Sequence, residues 1–104
     1  MNWADQKINR TQKALTAKEL KAIPMLYSQD SKGMDAIAYV HFFFGSYDLW
    51  ATEYNPETGE FFGLVRMGSN EPELGYSSIQ EIATVGRIER DLYWTPKPLR
   101  ECIR

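Results

Sequence analysis

Ala36-Ile37-Ala38-Tyr39-Val40-His41-Phe42-Phe43-Phe44-Gly45-Ser46-Tyr47-Asp48-Leu49-Trp50-Ala51-Thr52-Glu53-Tyr54 is the stretch on which the fold turns. Both halves are rich in aromatic and β-branched residues, which suit a pleated, half-buried surface, and Gly45-Ser46 separates them. The spacing predicts a hairpin of two strands, Ala36–Phe44 and Asp48–Tyr54. Beyond it, Asn55-Pro56-Glu57-Thr58-Gly59 reads as a turn, because Pro fixes one φ angle and Gly can take a positive one. A third strand is predicted over Glu60–Met67. After the polar loop Gly68–Pro72, a short fourth is predicted over Glu73–Ser77.

Two helices flank these strands. Thr16 with Glu19, and Ser78 with Glu81, have the spacing of capping boxes, and Ser77 is an alternative cap for the second helix. Pro24 stops the first helix and Gly86 the second. Leu15, Leu20 and Ile23 form the buried side of the first, with Leu15 and Leu20 spaced as a hydrophobic staple. The expected fold is therefore α+β: a three- to four-stranded antiparallel meander with one or two short helices packed on it. A chain of 104 residues supports one domain, assigned to residues 15–104, with residues 1–14 as a flexible segment in which Trp3 and Ile8 are able to dock.

Side chains alternate across a strand, so the faces can be compared. One side of the first strand holds Ile37, Tyr39, His41 and Phe43, and the other holds Ala38, Val40, Phe42 and Phe44. In the third strand Phe61, Gly63, Val65 and Met67 oppose Phe62, Leu64 and Arg66. Neither face is polar, so something must cover the second. Two covers fit: the chain's own Tyr93-Trp94 and Pro-rich tail, or a partner held on an exposed aromatic patch.

Charge is unevenly distributed. Residues 1–21 carry five Lys or Arg against two acids, and residues 92–104 return to a positive balance. Residues 30–91 carry eleven acids against four bases. An acidic body argues against non-specific duplex binding, which needs Lys and Arg on phosphates. It suits instead a basic protein surface or a nucleic-acid-binding enzyme whose positive groove the acids would occupy. Base stacking on the strand aromatics is the alternative, although the sheet region offers only Arg66 among them. No stretch has the length and apolarity of a signal or membrane segment, so a cytoplasmic location and no membrane partner are expected.

Catalytic readings have little to build on. His41 is the only histidine, with Glu53 on the neighbouring strand as an orienting group. The pairs Asp30 with Asp35 and Glu53 with Glu60 are the acid and base candidates, and all three readings compete with plain structural or surface roles. Phosphate-loop, dinucleotide, nucleophile-elbow and histidine metal motifs are lacking, and Cys102 stands alone, so no metal or cofactor is called for. A non-enzymatic role is expected.

Six runs in order carry a resemblance: Pro24-Met25-Leu26-Tyr27-Ser28-Gln29-Asp30, Lys32-Gly33-Met34-Asp35-Ala36-Ile37-Ala38-Tyr39-Val40, Trp50-Ala51-Thr52-Glu53-Tyr54, Phe61-Phe62-Gly63-Leu64-Val65, Glu73-Leu74-Gly75-Tyr76, and Glu89-Arg90-Asp91-Leu92-Tyr93-Trp94-Thr95-Pro96-Lys97-Pro98-Leu99. From about Leu15 to Leu99 the chain resembles the bacterial family catalogued as domain of unknown function 2958, with Met1 to Ala14 outside the resemblance. That resemblance implies cargo of plasmids, integrative elements and phages, and an accessory protein that binds a host defence or replication protein. Tyr39, Trp50, Glu53, Tyr76, Tyr93 and Trp94 are the candidate binding residues.

Overall fold

The computed structural model describes residues 2–103. Both capping boxes form: Thr16 Oγ1 accepts from the Glu19 N–H and Ser78 Oγ from the Glu81 N–H, each at 3.1 Å. They open α1 (Ala17–Ala22) and α2 (Ile79–Val85). Only α2 turns fully buried residues inward, Ile79 and Ile82, each worth about 1.5–3 kcal/mol of apolar burial. In α1 it is the half-buried Leu20 that reaches the core, beside the buried Leu15 that precedes the cap.

The strands are β1 (Ile37–Ala38), β2 (Val40–Phe44), β3 (Tyr47–Asn55), β4 (Glu60–Met67), β5 (Glu73–Ser78), β6 (Glu89–Arg90) and β7 (Lys97–Pro98). The meander β2 to β5 follows the expected hairpins, but the sheet has five strands, in the order β5-β4-β3-β2-β6, all antiparallel. The additional strand β6 comes from a two-residue pairing of Glu89 and Arg90 with Phe43 and Phe42, too short to carry a periodic signal. The hairpin turn at Gly45-Ser46 places Gly45 at φ 57°, a conformation that suits the first central position of a two-residue loop.

Two bulges decide the faces. The expected strand over Ala36–Phe44 is broken at Tyr39: the Tyr39 N–H donates to Ala51 O at 2.8 Å while Val40 also pairs with Ala51, so two residues oppose one. Alternation is thereby reset, and Ala38 and Val40 lie in different cores. The second bulge lies between Ala51 and Glu53, where β3 carries one residue more than β4. Gly63 permits the close approach there, because a Cβ on it would lie 2.1 Å from Trp50 O.

The larger core, on the first face of the sheet, joins Val40, Phe42, Leu49, Tyr54 and Phe61 to Ile79, Ile82 and Ile88. Residues 2–14, expected to be a flexible segment outside the domain, complete that core: Ala4, Ile8 and Ala14 are buried in it. Side chains of the segment also bind the β6 edge. Asn9 Nδ2 donates to Ile88 O at 2.9 Å, and the Gln12 amide exchanges hydrogen bonds with Arg90 O and N at 3.0 and 2.8 Å. The polar composition of the segment reflects these bonds, which satisfy an edge that would otherwise be open.

Candidate interaction face

On the second face, cross-strand partners stand side by side in rows. His41 pairs with Trp50 and Trp50 with Leu64, which in turn faces Leu74. One row along, Phe43, Asp48 and Arg66 are opposed; on the other side Glu53, Phe62 and Tyr76 are. The C-terminal segment crosses half of this face. β7 pairs with β1, the Leu99 N–H donates to Ala36 O at 2.9 Å, and Arg100 ion-pairs with Asp35. Leu99, Trp94, Met34 and Cys102 then close over Ala38, Trp50 and Leu64 as a second, smaller core.

Under the edge of this cover lies a linear polar chain. His41 Nδ1 is 3.0 Å from Asp91 Oδ2, and Nε2 is 2.7 Å from Asp48 Oδ1. Asp48 Oδ2 accepts from Arg66 Nη2 at 2.8 Å and from Nε at 3.2 Å. The His41 ring stacks on Trp50, with centroids 5.4 Å apart and planes 7° from parallel, while the Arg66 guanidinium lies 5.1 Å from the centre of Trp50. Asp48 and Asp91 therefore orient His41. The expected partner Glu53 does not, because both its oxygens are engaged elsewhere. Among the described residues no group of three or more His, Cys, Asp or Glu side chains is arranged to hold a metal ion.

Glu53 is 2% exposed; its Oε1 accepts from the Tyr27 N–H at 2.8 Å and its Oε2 from the Gln29 N–H at 2.6 Å. The Gln29 side chain continues the arrangement, donating to Thr52 O at 2.8 Å and Ile37 O at 3.1 Å and accepting from the Ile37 N–H at 2.8 Å. The loop from Pro24 to Asp30 is thus fastened across the sheet. It carries Tyr27 in the left-handed region, at φ 75°, which an L side chain seldom adopts without being held there.

Beyond the cover the face is open. Phe62 and Tyr76 meet edge to face with centroids 5.0 Å apart, and Tyr76 is 54% exposed. Tyr27, 64% exposed, stands beside them, and the nearness of its side chain is the main reason the Tyr76 phenol is raised above its ordinary value. Leu74 extends the patch along β5. That strand pairs with β4 alone, and among the described residues its outer edge lacks the kind of cover Gln12 gives to β6.

The six sequence candidates divide accordingly. Trp50 and Glu53 are buried and support the face from within. Trp94 belongs to the cover, its Nε1 donating to Ala38 O at 2.9 Å with Lys97 Nζ 4.6 Å from the ring centre. Tyr39 is half-buried against the larger core at the strand break. Tyr93 is 93% exposed on the turn after β6, away from β5, and Tyr76 alone sits in the open patch. The residues that join Tyr76 there, Tyr27, Phe62 and Leu74, were not singled out. For Phe62 and Leu74 the usable signal was an apolar residue on the non-core side of its strand; Tyr27 offered none, since Glu53 places it from a distant part of the chain.

A family model described as "Protein of unknown function (DUF2958)" matches residues 10–101, and the chain belongs to that family. The match begins before the resemblance did, taking in Gln12 and Ala14. Neither the curated proteins nor the solved structures contain a match.

Proposed function

We propose that this member of the family is a non-enzymatic accessory protein that acts by binding another protein, and that the open half of the second sheet face is where it binds. The observation that carries this is the contiguity of Tyr27, Phe62, Leu74 and Tyr76 beside the bare edge of β5. Aromatic side chains at a rigid, partly desolvated surface are the usual anchors of protein recognition, and an unpaired edge offers main-chain hydrogen bonds to an incoming strand. The patch lies near acids, with Asp30 close enough to influence Tyr76. A basic surface on a host defence or nucleic-acid-processing protein is the partner that this chemistry, together with the mobile-element setting implied by the family resemblance, favours. Single-stranded nucleic acid has less support, because Arg66 is already held by two hydrogen bonds to Asp48.

The test is affinity capture from a bacterial lysate with the parent chain and with a Leu74→Ser/Tyr76→Ser variant. A protein retained by the parent and lost by the folded variant supports the reading. Identical captured sets refute it, and a salt-sensitive shift of labelled oligonucleotides by the parent but not the variant would favour the nucleic-acid reading instead.

A further inference from the structure

The first face of the sheet is also incompletely covered. Residues 2–15 and α2 close over its middle, but at the end where β2, β3 and β4 meet, a groove of about 530 Å³ remains between α2 and the sheet. Its floor is Phe44, Tyr47, Val65 and Met67, and its wall is Ile82 and Val85. Phe44, Met67 and Val85 are exposed, although all three are large apolar side chains on the core side of their elements. A smaller hollow shares Val65 and Met67 and continues the groove to Glu71 and Glu73. Burial among these groups pushes the Tyr47 phenol up.

The charges around the groove have one sign. Glu81 lines its wall and Glu71 and Glu73 its far end, with no Lys or Arg lining either part. Glu71 and Glu73 enter no salt bridge among the described residues. Glu73 shares the groove side of β5 with Gly75, above which there is open space.

We infer that this groove is a second docking surface, whose occupant is an amphipathic helix of another protein with Lys or Arg flanking its apolar stripe. Sheets in two-layer folds are covered by helices, and α2, at seven residues, covers only part of this one. A helix laid beside it would bury Phe44, Met67 and Val85 and bring its basic flank to Glu71, Glu73 and Glu81. A second copy of the chain related by a twofold axis fits poorly, since isologous contact would set these carboxylates against their own counterparts. The groove opens on the opposite face from Tyr27, Phe62 and Leu74; Tyr76, beside Ser77 on β5, borders both, and the inference does not depend on what binds the other face.

The experiment is an NMR titration of the isotope-labelled chain with a peptide of about two heptads of Leu and Lys in amphipathic order. An isomer of the same composition in scrambled order, and a Leu-Glu version, serve as controls. Saturable shifts at Tyr47, Val65, Met67, Ile82 and Val85 with the ordered Lys peptide, at least about tenfold tighter than with the scrambled isomer, support the inference. It also requires that Glu71→Lys/Glu73→Lys weaken binding by about tenfold and that Val85→Asp abolish it, both variants retaining the parent spectrum elsewhere. Shifts that map to the second face, equal binding of the scrambled isomer, or no saturation by ~1 mM peptide overturn it. Light scattering supplies a further test: a dimer that Val85→Asp dissociates would make the groove an interface between copies and overturn the assignment.

Discussion

Replacing Glu53 by Gln isolates what the buried carboxylate does. It accepts from the Tyr27 N–H at 2.8 Å and from the Gln29 N–H at 2.6 Å. Hydrogen bonds to a charged acceptor contribute about 1.5–3 kcal/mol each. Gln preserves the shape but presents one oxygen and one NH₂, so one backbone N–H meets a donor and the other keeps a neutral bond of about 0.5–1.5 kcal/mol. Relief from burying a charge offsets part of the loss, and the expected net destabilisation is about 2–4 kcal/mol. With a urea dependence of ~2 kcal/mol per molar, the middle of the usual range, the unfolding midpoint falls by roughly 1–2 M. The loss is first felt locally, because Tyr27 at φ 75° is held there by that bond. Amide exchange at Tyr27 and Gln29 should therefore accelerate before exchange in β3 and β4 does. An E53Q protein with an unchanged urea midpoint and both amides still protected would refute the account of Glu53 as the fastening of the loop.

Two paired glycines give opposite outcomes. Gly63→Ala puts a Cβ 2.1 Å from Trp50 O and is expected to cost at least ~3 kcal/mol or prevent folding, whereas Gly75→Ala, opposite it on β5 with open space above, should lie within about 1 kcal/mol of the parent in thermal melts. Tyr54 has a buried hydroxyl without a hydrogen-bond partner among the described residues, and burial raises its pKa; Tyr54→Phe should leave stability unchanged or raise it by up to ~1 kcal/mol, and a loss beyond that in urea unfolding would reveal a partner for the hydroxyl. Burial pushes the Cys102 thiol up to about 11 from 9.0, so near pH 8 its thiolate fraction is about a hundredfold below that of an ordinary thiol. Iodoacetamide should then modify the folded chain far more slowly than the urea-unfolded one, the gap closing as pH rises toward 11. The sign extends to folding: the raised thiol favours the folded state fully below pH 9.0 and loses that contribution as pH rises through about 11.

Local signals were enough to establish the meander, both helices and their caps. Hairpin turns, capping boxes and β-rich runs act between residues close in sequence, and the structure places them within a residue or so of where the spacing puts them. The apolar character of both sheet faces was equally legible, and with it the need for a second cover. Which residues occupy that second face was not. The bulge at Tyr39 resets the alternation within a run that reads as one strand, and the bulge after Ala51 does so again in β3. Residues 2–14 looked detached because their polar side chains bond to Ile88 and Arg90, more than seventy residues away. The division of the second face, half closed by Trp94 and Leu99 and half left to Tyr27, Phe62, Leu74 and Tyr76, depends on where the C-terminal segment crosses the sheet. A long-range packing choice of that kind leaves no periodic mark in the chain, which is why composition could state that a cover was needed and only the tertiary structure could show where the cover ends.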